Sequence, residues 1–315
     1  SGAHMDGFHG AVRAVCAQMA RDEGEPGGVN LLGGFASCGD IRWYRRLLAG
    51  FGLDGTVLPD HSLTLDGISL PEYRSIPDGG TALADIRAMG SAAATIELGR
   101  AVAEKLSGAL VLQDRFGVPA VRLGLPVGLR ETDRFMDELE RISGQKAPEE
   151  ERLARGRLVD AYVDGHKYLF GKRAVVYGEE DLVIALCAFL AETGVQPVLA
   201  ATGQKSGRFQ AEIRAVTDGL VREEVAAVPG ADFHDIAELA ESLAPDLLVG
   251  HSKGYRYARE WGVPLVRAGF PIHDRFGGQR LRHMGYRGTQ ELFDRIVNAV
   301  IEYKQSRNDV GYGYI

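Results

Sequence analysis

Phe116-Gly117-Val118-Pro119-Ala120-Val121-Arg122-Leu123-Gly124-Leu125-Pro126-Val127 returns in the second half of the chain as Trp261-Gly262-Val263-Pro264-Leu265-Val266-Arg267-Ala268-Gly269-Phe270-Pro271-Ile272. A second echo lies upstream of each copy: Gly39-Asp40-Ile41 through Gly52-Leu53 parallels Glu180-Asp181-Leu182 through Gly194-Val195. Two matches in the same order imply a duplicated domain. Each copy has the same anatomy, an apolar run, a helix with apolar residues at helical spacing, then Gly with a β-branched residue leading into the next apolar run. In the second copy Ala174-Val175-Val176-Tyr177 reads as a buried strand, and Leu182, Leu186, Phe189 and Leu190 form the inner stripe of the helix that Gly194 ends. Strand, helix and strand in alternation need crossover connections. The expected fold is therefore α/β, two tandem Rossmann-like parallel-sheet domains with helices on both faces, bridged by helices.

The spacing predicts strands over 29–32, 55–58, 93–97 and 120–123 in the first copy, with helices over 8–20, 40–49, 82–89 and 101–116 and a turn-rich stretch at 59–80. The second copy reads as strands over 173–177, 196–200, 224–228, 246–249 and 265–268, with helices over 179–191, 209–219, 233–243 and 255–260. A terminal helix over 288–304 carries Leu292, Ile296, Val297, Val300 and Ile301 as its stripe. Between the copies, 132–168 forms two helices separated by Pro148, the second starting among Glu149, Glu150 and Glu151, whose charge suits a helix N-terminus. The expected division is 6–130, a helical bridge at 131–170, a second domain at 171–287, and a helix and tail at 288–315 returning toward the first domain. Ser1-Gly2-Ala3-His4-Met5 reads as a cloning remnant outside the fold.

At 315 residues the chain is long enough for two cores of ~100 to 200 residues each. Hydrophobic content of 45% and charged content of 25% are ordinary for a soluble protein. No apolar run approaches the ~18 residues of a membrane helix, so no membrane is expected and the cytoplasm is the default location. A net charge of −7 argues against nucleic acid as main partner. Cys16, Cys38 and Cys187 form an odd set without metal-type spacing, which suits a reducing compartment.

Ligands of open parallel sheets sit outside the carboxyl ends of the strands. The most polar such end is Gly250-His251-Ser252-Lys253-Gly254, placed to bind an anion through backbone N–H groups and Lys253, although Ser252 as an N-cap and His251 as a strand-end residue serve equally well. The loop that follows holds Arg267, His273, Asp274, Arg275, Arg280, Arg282, His283 and Arg287. Its arginines suit carboxylates or an anionic cofactor, or internal salt bridges. The candidate binding residues are thus His251, Ser252, Lys253, Arg267 and Arg275. Cys38, after the first strand, is a weak candidate metal ligand and reads more readily as a small buried hydrophobe. No other metal ligand is expected, and no catalytic residue emerges from spacing.

Gly269-Phe270-Pro271-Ile272-His273-Asp274-Arg275-Phe276-Gly277-Gly278-Gln279-Arg280, followed by Gly285-Tyr286-Arg287-Gly288, resembles the C-terminal signature of the nitrogenase component 1 family. Leu125-Pro126-Val127-Gly128-Leu129-Arg130-Glu131-Thr132-Asp133, Ile142-Ser143-Gly144 and Arg155-Gly156-Arg157-Leu158-Val159-Asp160 through His166 resemble its β-type chains. Leu58-Pro59-Asp60 and Gly79-Gly80-Thr81 match as well, and the resemblance runs from about Asp6 through nearly the whole chain.

The resemblance implies a subunit of an α/β assembly whose members generally have three Rossmann-like domains, the first supplying cysteines to an interfacial iron–sulfur cluster. Only two such domains are read here, so the cluster domain is expected to be missing. The α-type subunits place a cofactor cysteine where this chain has Leu98-Gly99-Arg100 and a cofactor histidine where it has Gly269 and Phe270; His273 is shifted from that place and does not take the role. Both departures imply a β-type subunit. Val249-Gly250-His251-Ser252-Lys253 and the ending Val310-Gly311-Tyr312-Gly313-Tyr314-Ile315 most resemble the β-type chain of the scaffold on which the iron–molybdenum cofactor is assembled.

The function so implied is that of a partner chain in that scaffold, not catalytic by itself and without a cofactor in isolation. The full complex would carry iron–sulfur and iron–molybdenum precursor clusters, with an α-type subunit and an ATP-dependent reductase, the iron protein, as partners. The alternatives are the β chain of the catalytic molybdenum–iron protein or a related reductase subunit and, from another class, a small-anion-binding or sensing module using the region near Lys253 and Arg267.

Overall fold

The computed structural model describes residues 3–75 and 78–308. The chain divides into two compact units. One comprises the chain up to Pro126 with Thr132–Arg152 and Gln279–Arg282; the other comprises Val127–Glu131, Leu153–Gly278 and the chain from His283.

The first unit runs α1 (His4–Met19), β1 (Val29–Leu32), α2 (Cys38–Gly50), β2 (Gly55–Leu58), α3 (Ser62–Leu65), α4 (Leu83–Ala88), β3 (Ala94–Leu98), α5 (Gly108–Phe116) and β4 (Ala120–Leu123). Next come α6 (Leu129–Ser143) and α7 (Glu149–Leu169). The second unit then runs β5 (Arg173–Gly178), α8 (Glu180–Glu192), β6 (Gln196–Thr202), α9 (Phe209–Thr217), β7 (Ala226–Pro229), α10 (Phe233–Ser242), β8 (Leu247–Gly250), α11 (Tyr255–Trp261), β9 (Leu265–Arg267) and α12 (Gly285–Ser306).

The strands pair in the order β2-β1-β3-β4 in the first sheet and β7-β6-β5-β8-β9 in the second. Every pairing is parallel. Without the edge strand β7, the second order repeats the first, and helices cover both faces of each sheet. The repeated phrase has the same job in both copies. Gly117 and Gly262 close α5 and α11 in the left-handed region, at φ +74° and +62°, where a β-carbon is disfavoured. Val-Pro then leads into β4 and β9, each an outermost strand.

Local chemistry fixes the helix starts. Ser37 caps α2 by accepting from the backbone N–H of Asp40 at 3.0 Å while its hydroxyl donates to the Asp40 carboxylate at 2.8 Å, and Asp232 with Asp235 does the same service for α10. Glu192 accepts from the backbone N–H groups of Leu129 and Arg130 at 2.6 and 3.2 Å and so sets where α6 begins. The first core gathers Cys16, Leu32, Leu58, Met89, Leu112 and Val118. The second gathers Val175, Tyr177, Leu199, Ala201, Ile236 and Leu248. Every residue of α8 from Glu180 to Ala191 is buried, so this helix is covered on all sides rather than along one stripe.

Three expectations are corrected. The helix expected over 101–116 starts at Gly108, because the Glu97 carboxylate at the end of β3 accepts from the N–H of Gly108 at 2.9 Å and from the Ser107 hydroxyl at 2.6 Å, fixing the first turn there. The turn-rich stretch at 59–80 contains α3. Of the stretch read as lying outside the fold, His4 and Met5 belong to it: α1 starts at His4, and Met5 is buried. The ending Val310–Ile315 lies outside the described residues.

Candidate functional site

In each sheet the strand order reverses beside the first strand of the copy, between β1 and β3 and between β5 and β8, and the carboxyl ends there form the switch point at which such folds bind ligands. A tyrosine fills both. The Tyr44 hydroxyl donates to the Gly33 carbonyl at 3.2 Å, just past β1. The Tyr177 hydroxyl, from β5, donates to the His251 carbonyl at 2.7 Å, just past β8. Glycine is required beside both rings: a β-carbon on Gly33 would lie 2.8 Å from the Tyr44 ring, and one on Gly254 would lie 2.0 Å from the Tyr177 oxygen. Sequence reading singled out neither tyrosine, since a buried aromatic in or beside a strand carries no mark of its function.

In the second unit the strand-end candidates converge in part. Arg267, on the last position of β9, grips Asp274 through Nε at 3.0 and 3.2 Å and through Nη2 at 2.5 Å. The Ser252 hydroxyl donates to the same carboxylate at 2.6 Å and accepts from the His273 N–H at 2.9 Å, stitching the turn after β8 to the loop after β9. The Arg267 contacts, with those of Ser252 after them, hold the Asp274 carboxyl well below the usual carboxylate range. Arg275 is exposed; it donates to the Asp274 carbonyl at 2.6 Å and lies 3.6 Å from its carboxylate. Arg267 is therefore spent on a carboxylate of its own chain, whereas Lys253 and His273 stand exposed beside it.

His251 lies half-buried with its ring edge-on to Tyr177 at 5.0 Å and tilted to Phe233 at 5.9 Å. Burial, followed by the nearby Lys253, lowers its pKa to about 4, so the ring is neutral at physiological pH. Its Nδ1 is buried and has no hydrogen-bond partner among the described residues.

The basic loop is not one cluster. Arg280 and Arg282 belong to the first unit, where Arg280 Nε lies 3.3 Å from the Asp66 carboxylate and its carbonyl packs on Gly39. His283 is buried in the second unit, its Nε2 accepting from the Gly269 N–H at 3.3 Å. In the first unit the equivalent of Arg267 is Arg122, which lies 3.1 Å from Glu97.

The donor set does not fit a metal group. Cys38 is buried at the start of α2 with Sγ 3.9 Å from the His61 carbonyl, and burial raises its pKa. Burial also raises Cys16, to about 12, and Cys187. Among the described residues no three His, Cys, Asp or Glu side chains are grouped to hold a metal ion. None of the described helices is long and apolar enough to cross a membrane.

The sequence model of the nitrogenase component 1 type oxidoreductases matches residues 1–301. The chain is 32% identical over 302 residues to the nitrogenase molybdenum-iron protein beta chain of Clostridium pasteurianum, covering 96% of this chain and 66% of that one. It is 31% identical to the nitrogenase vanadium-iron protein beta chain of Trichormus variabilis, covering 97% and 67%. A solved structure of nitrogenase Cp1 at pH 6.5 superposes with a TM-score of 0.95 at 31% identity over 100% of this chain and 69% of that chain. This chain thus spans about two thirds of the length of these relatives.

Proposed function

The chain belongs to the nitrogenase component 1 family, and from that premise we propose that it is the two-domain portion of a β-type subunit, a partner chain that carries no cofactor ligand of its own. The observation that carries this reading is that Gly269 and Phe270 stand where the α-type resemblance calls for a cofactor histidine, with Gly269 the more restrictive of the two. It lies at φ +75°, and a β-carbon there would sit 2.6 Å from Leu182 Cδ2. A histidine there would take a strained backbone conformation and displace the tip of Leu182. Gly99, in the stretch where the cofactor cysteine would be, takes φ +142°, which likewise disfavours a side chain.

At the finer level the reading is a partner chain in the scaffold for iron–molybdenum cofactor assembly, supported by the likeness of Val249-Gly250-His251-Ser252-Lys253 to that branch. A second reading, the β chain of a catalytic complex, is supported by the relatives named above, β chains of molybdenum–iron and vanadium–iron proteins. Anaerobic co-expression with candidate α-type chains, followed by metal analysis of the purified complex, tests both. A stable complex holding iron without molybdenum supports the scaffold, and one holding molybdenum or vanadium with turnover supports the catalytic chain. Failure to form a complex with any α-type chain overturns the subunit reading itself.

A further inference from the structure

We propose that the stretch between Leu63 and Tyr73, in the first unit, is a docking surface for the α-type subunit, covered by an apolar and uncharged face of that chain. The inference rests on the subunit reading above and names where the partner is held. Leu63, Leu65, Ile68, Leu70 and Tyr73 are all exposed, Ile68 at 83% and Tyr73 at 92%. Side chains as bare as these present several hundred Å² together, where the largest apolar patch of a typical monomer is ~300 to 600 Å² and one partner's share of a standard interface is ~800 Å².

The polar groups of this stretch are turned the other way. Asp66 lies 2.6 Å from Arg42 of α2 and 3.3 Å from Arg280, and Asp60 lies 2.6 Å from Arg45. Arg42 also donates to the carbonyls of Ser62 and Asp66, at 3.3 Å each, while the Asp60 carboxylate accepts from the Ser62 N–H and hydroxyl at 2.9 and 2.7 Å. Gly67 seats the turn against Leu63, since a β-carbon there would lie 2.4 Å from the Leu63 carbonyl oxygen. A segment tied down by its charged groups, with its apolar side chains facing solvent, inverts the usual arrangement, and burying those side chains against another chain restores it. The charges also select the occupant. Asp60 and Asp66 are neutralised within the unit and Asp78 by Arg74 at 2.7 Å, so the surface offers a partner little charge to pair with. A second copy would bring a net charge of −7 against −7, which favours a different chain as the occupant.

The test is anaerobic co-expression of the chain with α-type chains, with dissociation of the isolated complex followed by analytical ultracentrifugation. Ile68→Ser with Tyr73→Ser should weaken the complex about tenfold or more, as loss of anchoring apolar contacts does at interfaces. Ile68→Val with Tyr73→Phe keeps the surface apolar and should bind as wild type does. Leu239→Ser, at an exposed position of α10 in the second unit, is the control for general loss of surface hydrophobicity and should leave binding unchanged. Equal affinity of wild type and the double serine variant overturns the proposal while the subunit reading stands. Equal weakening by Leu239→Ser, or weakening by the conservative pair, overturns it as well. A wild-type homodimer that the serine variant abolishes does the same, since a second copy then covers the surface. Failure of the wild type to bind any α-type chain overturns both readings, and the missing wild-type complex sets that outcome apart from the others.

Discussion

Arg122 and Arg267 occupy the same position of the repeated phrase, yet each is paired to a carboxylate from a different place in its own unit. Arg122 lies 3.1 Å from Glu97, on the neighbouring strand, and Arg267 lies 2.5 Å from Asp274, in the loop that follows its own strand. The duplicated sheet kept the cation and changed the counter-ion. In the first unit the carboxylate also starts a helix, whereas in the second it ties down a loop.

Arg267→Ala should cost about 2 kcal/mol, between the values of exposed and buried pairs, since the two side chains are 12% and 28% exposed. The pH dependence has a definite sign. Asp274 is depressed in the folded chain, so its contribution is complete above its ordinary pKa of 3.8 and is lost as the pH falls below that value. Urea midpoints of wild type and variant should therefore differ at neutral pH and converge in acid. A gap that stays constant contradicts the assignment.

Glu97→Ala should be worse, by about 3 to 5 kcal/mol, because it removes the counter-ion of Arg122 and the acceptor of the first N–H groups of α5 together. Ser107→Ala should cost about 1 kcal/mol, the usual figure for a cap. Chemical denaturation ranks the two variants, and amide exchange at Gly108 and Leu110 reports whether α5 frays at its start.

The contribution of two buried histidines to stability should decline as the pH drops from about 6.5 toward about 4, against the opposite contribution of Glu179, whose carboxyl pKa is raised by burial. Burial lowers His9 and His251 from 6.5 to about 4 when folded, so the unfolded chain takes up protons that the folded chain refuses. Above 6.5 the contribution is complete, and it is lost progressively below. His9→Gln and His251→Asn should each flatten the thermal-unfolding midpoint across this window, and an unchanged slope in both variants would refute the account.

Gly254→Ala should destabilise the second unit by about 1 to 3 kcal/mol, since the new methyl would overlap the Tyr177 phenol at 2.0 Å from its oxygen and 2.6 Å from Cζ. Tyr177→Phe in the same chain removes the nearest atom and should restore part of the loss. A double variant no more stable than Gly254→Ala alone would mean that the overlap lies elsewhere.

The parallel sheets were legible because the repeat marks the strands twice and because Gly-Val-Pro encodes a helix end, a buried residue and a strand start in three letters. The start of α5 was not, since the decisive group, Glu97, lies on the preceding strand and acts through space. The basic loop read as one cluster for the same reason. Arg280 finds Asp66 within the first unit, a pairing between residues far apart in the chain that leaves no local pattern. Ser252 and Arg267 were read as polar strand-end residues, and the structure shows that both are occupied by Asp274. Residues 1–5 were set aside as a remnant, and of these Met5 is buried in the fold.

The tyrosine ties also bear on how the sheets open. Each ties down the backbone just past a strand beside the switch point, so a local fluctuation that frees the strand end must release a side-chain bond together with the ladder beside it. Amides of β5 and β8 should then exchange with solvent as one cooperative block rather than fray one strand at a time. A sheet braced in this way behaves as a stiff plate at the edge where most folds of its kind are soft.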